Sequence, residues 1–408
     1  MNRNVQSGDT IGVHELPWRK NILLLAASQA MMLSAIVMSM SLAAILGSVL
    51  APDKSLATLP IAAMVIGIAL ASLPAALLMR RFGRRAGFLI GACLGVAGSV
   101  LAAVGLQQHS FLIFVVGHLL LGCYQGFANY YRFAAAEAVE PARVSRAISW
   151  VIAGGVVAAF LGPQLGQWGR DWLIGSGLFV GSFVAQASLS LIAMLLLACV
   201  QLKPVAVVSG SAARPLREIL AQPTLRTAVF GAAVGNAVMI MVMTATPLAI
   251  LGCGLPNANV TPVIQWHVVG MFAPSFFTGS LIKRYGASRI MQIGFILLLG
   301  HVTITLLGME FLHFLSALIL LGVGWNFAFI GGTALLTTTY HPAEQFKVQA
   351  INELSIASLA AFATLSAGWL YDRFGWITLN LTVVPLLVLA LLAVVGIEKR
   401  LRLANTGA

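Results

Sequence analysis

The sequence predicts an all-α polytopic membrane protein of twelve transmembrane helices in two pseudo-symmetric six-helix halves, with both termini cytoplasmic. Three observations predict it. The 408 residues are 59% hydrophobic and only 9% charged, with a mean hydropathy of +0.94. Apolar runs long enough to cross a bilayer recur along the whole chain. The second half of the chain also repeats the pattern of the first. A water-facing fold usually carries about 25% charged residues, so lipid is the expected solvent. A membrane β-barrel needs short alternating strands, and these runs do not alternate.

The apolar runs are separated by charge, Gly and Pro, and each separation marks a helix end. The first run, 20–49, ends before APDKS, and the second, 56–79, ends at RRFGRR (80–85). The third, 86–106, and fourth, 111–137, are parted by QQHS, and EPAR (140–143) precedes the fifth, 146–168. The sixth, 175–200, ends at the longest polar interruption, QLKPVAVVSGSAARPLREILAQPT (201–224). The seventh, 225–251, and eighth, 259–282, flank GCGLPNA, and KRYGAS (283–288) precedes the ninth, 289–309. The tenth, 312–339, is followed by HPAE (341–344), the eleventh, 347–370, by YDRF, and the twelfth is 375–397. The expected organisation is a cytoplasmic tail 1–19, a half 20–200, a cytoplasmic loop 201–224, a half 225–397 and a cytoplasmic tail 398–408.

The basic residues set the orientation. With the N-terminus inside, the inner segments hold 20 of the 24 Lys and Arg residues, and the outer loops hold Lys54, Arg170 and Arg373. Arg132 lies within a span and belongs to neither side. This bias is the positive-inside pattern, and it accounts for the net charge of +12 without nucleic acid. The N-terminus shows no short apolar core with a cleavage site, so no removed signal peptide is expected. The four cysteines are far apart with no metal-ligand spacing, so neither metal nor cofactor is expected.

The repeat is legible residue by residue. LLGCYQGFANYYRFA begins at Leu120 and LLGVGWNFAFIGGTA at Leu320; Gly122 and Gly322, Phe127 and Phe327, Ala128 and Ala328, and Ala134 and Ala334 stand 200 apart. EPAR answers HPAE, and RRFGRR answers KRYGAS. Six plus six helices in parallel repeat is a transporter layout with its site between the halves.

These features resemble the major facilitator superfamily over nearly the whole chain. The family's loop signature G-x-x-x-D-R-x-G-x-R-R is met by Arg81, Gly83, Arg84 and Arg85, with Ala76 and Arg80 in place of the Gly and Asp. In the second half Gly279, Arg284 and Gly286 fit, and Lys283 replaces the Asp. The family's acid latch at these loops is therefore not carried over in its usual form. In GWLYDRFGW (368–376) the order survives with Asp372 and Arg373. Gln125 and Gly126 match a fourth-helix signature whose Arg is here Gly122, and Gly162, Pro163 and Gly166 match part of an antiporter signature. A helix kink with close helix contact explains Gly162–Pro163 equally well.

On a helix, His118, Gly122, Gln125, Asn129 and Arg132 fall on one face, over about 21 Å. A charge at the bilayer centre costs about 3 kcal/mol or more, so Arg132 should face water or a partner. By the family's plan the first, fourth, seventh and tenth helices line the central cavity. The expected substrate-binding residues are Gln29, Tyr124, Gln125, Asn129, Arg132, Asn236, Trp325 and Asn326. Two roles stand open for Arg132: gripping solute, or pairing with Glu137 or Glu353 to hold one conformation. The expected coupling and gating residues are His118, His267, Glu137 and Glu353, with Arg81, Gly83, Arg84, Arg85, Arg284, Gly286, Asp372 and Arg373. Amide, hydroxyl, thioether and aromatic groups with one guanidinium suit a flat, neutral or weakly acidic solute.

No clustered nucleophile, metal ligands or paired carboxylates point to an enzyme. A secondary transporter is expected, as a monomer in the bacterial inner membrane, with a small-molecule solute and the lipid bilayer as partners. A receptor or scaffold on the same fold is the alternative outside transport, and a drug or metabolite efflux antiporter the alternative within it. GVGWNFAFIGGTALLTTTY (322–340) resembles a bacterial subgroup of the superfamily, with a weaker resemblance to its riboflavin transporters. That resemblance implies riboflavin uptake.

Overall fold

The computed structural model describes residues 18–53, 56–173, 179–202 and 214–406. Most of the expected N-terminal tail, residues 203–213 of the central loop and Lys54 lie outside this range. The described residues are helical and contain no strand. The first half comprises α1 (Trp18–Leu50), α2 (Leu59–Phe82), α3 (Arg84–Gln107), α4 (Phe111–Ala128), α5 (Tyr131–Glu137), α6 (Val144–Ala153), α7 (Gly155–Trp168) and α8 (Val180–Ala198). After the short α9 (Leu216–Ala221) come α10 (Pro223–Gly252), α11 (Val260–Phe272), α12 (Ser275–Tyr285), α13 (Ala287–Leu307), α14 (Phe311–Leu336), α15 (Gln345–Thr382) and α16 (Val384–Thr406).

Among the described residues, ten helical stretches are long and apolar enough to cross a membrane. One of them, Gln345–Arg400, has 56 residues and is two arms joined at Gly375. Gly375 has φ 75°, as Gly83 has 86° and Gly286 88°. Each is the Gly of an Arg-x-Gly triplet at a sharp helix-to-helix turn. Nothing crowds a Cβ at any of the three, so the left-handed backbone is what demands Gly there.

Three runs that the sequence presents as continuous are broken. α4 gives way to α5 at Asn129–Tyr130, α6 to α7 at Gly154, and α11 to α12 at Ala273–Pro274. Pro274 lacks an N–H for the helical ladder, and its ring opposes the preceding turn. Pro74, 200 residues earlier, sits inside an unbroken α2. The central loop is also shorter than expected. α9 forms inside it, and α10 begins at Pro223, where proline suits the first helical turn.

Each half packs its own helices through small residues. A Cβ on Gly122 of α4 would collide with the Met64 carbonyl of α2, and one on Gly322 of α14 would lie 2.6 Å from the His267 carbonyl of α11. The halves touch each other along α2 and α15, α6 and α12, and α7 and α11. Gly279 of α12 lies against the Ser145–Arg146 backbone, and Trp150 meets Phe276 edge to face at 5.8 Å. These contacts lie toward the end that carries the basic turns 80–85 and 283–288, called here the basic end.

Candidate functional site

Arg132 begins the site. It sits on α5, 5% exposed, and its Nη2 donates to Glu353 Oε1 of α15. Glu353 also accepts from Asn352 Nδ2 at 2.8 Å. Of the two partners expected for Arg132, the structure therefore selects Glu353. The guanidinium also lies over the rings of Phe133, at 4.8 Å, and Phe329, at 4.4 Å. Its Nε is buried with no acceptor. The pair joins the halves, and in so dry a place each charge holds the other in position.

Glu137 has a different partner. Arg84 Nε and Nη2 form a fork on Glu137, at 3.1 and 2.5 Å, and Nη2 also reaches Gln349 Oε1 of α15 at 2.5 Å. Gln349 Nε2 in turn donates to Glu137 Oε1 at 3.1 Å and to the Tyr340 hydroxyl at 2.9 Å. Arg84 stacks on Phe346 at 4.7 Å. The loop signature thus does reach an acid, supplied by the end of α5 instead of by position 80. Gln349 and Glu353 are four apart on α15, so one helical face receives both arginines.

On the opposite wall, α14 presents aromatic planes. Phe329 stacks on Trp325, with centroids 4.7 Å apart and 17° between planes, and Trp325 meets Phe272 edge to face at 5.7 Å. Phe272 ends α11 at the Pro274 break and presses on Gly155 of α7. Trp325 Nε1 donates to Asn236 Oδ1 of α10 at 3.0 Å. A run of planes therefore leads from Arg132 of the first half, through Phe329, Trp325 and Phe272, to α7 of the first half again.

The remaining expected residues separate. Gln125, Asn129 and Gln29 are half-buried, and their side chains make no hydrogen bond among the described residues. Tyr124 instead faces α3, its ring against Gly95. Asn326 is buried and committed to the α11–α12 break, donating to the Met271 carbonyl and Ser275 Oγ, both at 2.6 Å, and accepting from Thr278 Oγ1 at 2.7 Å. His118 bonds Ser39 Oγ of α1 at 3.0 Å and the Phe114 carbonyl at 2.9 Å. His267 bonds the Leu318 carbonyl of α14 at 2.7 Å, and its Nε2 is buried without a partner. The five-residue stripe on the fourth run is thus divided. His118 and Gly122 pack on α1 and α2, Gln125 and Asn129 are open, and Arg132 crosses to the other half.

Arg81, Arg85, Arg284, Asp372 and Arg373 are exposed and form no ion pair among the described residues. Of the loop-signature arginines, Arg84 alone bridges the halves among the described residues, while Gly279 bridges them by backbone packing on Ser145–Arg146. Sequence reasoning left out Gln349, Phe272 and, as a site residue, Phe329. The signals for two of them were present: Phe329 stands 200 from Asn129, and Gln349 shares a face with Glu353. No pattern marked Phe272, whose place follows from the helix break.

Comparison with known proteins identifies the family and the fold. The description Major Facilitator Superfamily matches residues 22–274. The chain is 42% identical over 395 residues to the riboflavin transporter RfnT of Brucella anthropi, covering 96% of this chain and 97% of that one. It is 26% identical over 380 residues to the uncharacterized transporter YddS of Bacillus subtilis, covering 87% and 86%. Among solved structures, FucP in its outward conformation superposes with a TM-score of 0.74 at 14% identity, covering 91% of this chain and 97% of that one. At that identity the likeness concerns the fold alone.

Proposed function

The chain belongs to the major facilitator superfamily, and is accordingly a membrane transporter and not an enzyme; on that premise we propose that it imports riboflavin, or a closely similar flat solute, across the bacterial inner membrane by alternating access. Twelve spans follow when α11–α12 counts as one and the 56-residue stretch as two. The charge bias places the basic end, with both termini, in the cytoplasm.

The observation that carries the substrate reading is the division between the two walls. The first half offers free amides at Gln125 and Asn129 beside Arg132, which uses one N–H on Glu353. The second half offers the stacked Trp325 and Phe329. Riboflavin has a flat ring with carbonyl and N–H groups on one edge and a hydroxylated tail, so one wall suits its face and the other its edge. The name of the Brucella anthropi relative supports the same solute.

Arg132–Glu353 and the hydrogen bond from Arg84 to Gln349 cross between the halves at the basic end, and we read this form as the one closed toward the cytoplasm. Release of solute inward requires α15 to leave α2 and α5. We assign Glu353 the role of coupling acid, because it is buried between the halves and, among the described residues, its only basic partner is Arg132. Equal uptake rates and equal plateaus in vesicles with and without an imposed pH gradient would remove that role. Gly162, which raised the efflux alternative, packs on the Ser34 carbonyl of α1 and is explained by that contact.

The test of the whole reading is growth rescue. A riboflavin-requiring strain lacking its own importer should grow at low riboflavin when it expresses this chain. Absence of rescue with confirmed expression overturns the reading.

A further inference from the structure

A groove of about 580 Å³ runs between α10 and α15 on a face that the halves do not use to meet. Its walls are Leu225, Val229 and Ala233 from α10 and Ile351, Ser355 and Leu359 from α15. Each trio is spaced at four-residue steps, so each is one face of one helix. Both helices start at the basic end and run outward, so the groove extends about 12 Å into the apolar band. It opens to the side between two spanning helices, where the surrounding medium is acyl chain.

The mouth at the basic end is cationic. Arg226 lines the groove itself, and its Nη2 bond to the Ala221 carbonyl at 3.2 Å holds the guanidinium there. Lys347 is one turn before Ile351 on the same face of α15, and it is exposed. Arg217 is one turn before Leu220, another lining residue, and it too is exposed. None of the three forms an ion pair among the described residues. Glu218, the acid of α9, interacts electrostatically with Arg214 and is not among the residues that line the groove.

An apolar slot that opens into the bilayer and ends in three cations at the leaflet surface has the chemistry of one molecule, a phospholipid with a net negative headgroup. We infer that this groove binds an anionic phospholipid of the inner leaflet, one acyl chain lying between α10 and α15 and the headgroup phosphate held by Arg226, Lys347 and Arg217. The opposite face of α15 carries Gln349 and Glu353, so the bound lipid would brace the helix that has to move when the basic end opens. The inference does not depend on the identity of the transported solute.

The test is native mass spectrometry of the full chain, solubilised in detergent and mixed with phosphatidylglycerol and phosphatidylcholine of identical acyl chains. Each surface cation attracts an anionic headgroup by about 1 kcal/mol, so retention of phosphatidylglycerol should exceed that of phosphatidylcholine by about fivefold or more. The combined variant Arg217→Ala, Arg226→Ala, Lys347→Ala should bring the two lipids to parity, while Arg226→Lys keeps the preference and controls for folding. Ser355→Phe, which fills the groove and leaves every charge in place, should lower retention of phosphatidylglycerol. Equal retention of both lipids by the native chain overturns the proposal. So does a preference that survives the triple substitution, and so does one lost there but untouched by Ser355→Phe, which would indicate surface charge without a groove.

Discussion

Gln125, Asn129 and Arg132 of the first half hold the positions that Trp325, Phe329 and Gly332 hold in the second, each 200 residues on. The same offset relates Gly122 to Gly322, and these two do the same work: each lets its helix press on a neighbour's carbonyl within its own half. The repeat therefore keeps what packs each half together and diverges where the halves face each other. Close packing explains the first fact, since a Cβ at either Gly meets backbone that cannot yield. Exposure to the other half, and on the proposed function to solute, explains the second. The outcome is a polar wall against an aromatic one, with Arg132 on Phe329 as their point of contact.

The basic turns show the same asymmetry. Arg84 follows Gly83 and bridges to α15, whereas Ala287 follows Gly286 and has nothing to bridge with. The latch between the halves is thus built from first-half cations and α15 acceptors, not from two equivalent pairs.

This comparison can be broken first at Arg132. Arg132→Ala or Glu353→Ala should destabilise the protein by about 3–5 kcal/mol, because either leaves a buried charge alone. Thermal unfolding in detergent reads this. The double variant Arg132→Met, Glu353→Gln should regain most of that stability and still fail in uptake. Recovery of uptake in the double variant would mean that the pair serves packing only.

The aromatic wall should give the next largest effect. Trp325→Ala should weaken solute binding by about 1–3 kcal/mol, with Trp325→Phe much milder, read as the half-saturation of riboflavin uptake. An equal effect from both substitutions would point to the Trp325–Asn236 hydrogen bond and not to stacking. Arg84→Ala should cost less, about 1–3 kcal/mol, because Gln349 can still donate to Glu137. Ala287→Ser in the equivalent turn should leave unfolding unchanged, and a comparable loss there would erase the asymmetry between the turns.

On the polar wall, Asn129→Ala and Gln125→Ala should each raise the half-saturation with a loss of about 0.5–1.5 kcal/mol, and leave unfolding unaffected because neither amide has a hydrogen-bond partner among the described residues. A stability loss as large as the binding loss would move them from the solute to the scaffold. The smallest effect concerns a clamp that ties the central loop to the second half. Arg214 donates to both Glu344 oxygens, at 2.8 and 2.7 Å, and this holds the Glu344 carboxyl down at about 2, from an ordinary value near 4.5. A depressed carboxyl stabilises the fold above its unfolded value and loses that contribution as pH falls toward the folded one. The stability difference between the native chain and Arg214→Ala should therefore be flat above about pH 5 and shrink between about pH 4.5 and 2.

The all-helical membrane fold, the family and the repeat were legible in the sequence, because apolar length, charge bias and a fixed 200-residue offset are one-dimensional properties. The polar address of Arg132 was legible for the same reason: a charge in an apolar run must find a partner or water. What the sequence alone could not decide was the partner. A helical face is a direction, and the direction of the fourth run meets α1 at His118, α2 at Gly122 and the other half at Arg132. Glu137 and Glu353 were equal candidates in the chain; folding gave Glu137 to Arg84 and Glu353 to Arg132. Tyr124 and Asn326 sat beside site residues in sequence and point away from them in space, as 100° per residue requires. Sequence thus determined which residues must be answered by a partner. The packing of two halves, which sets distances between residues more than 200 positions apart, decided which residue answers.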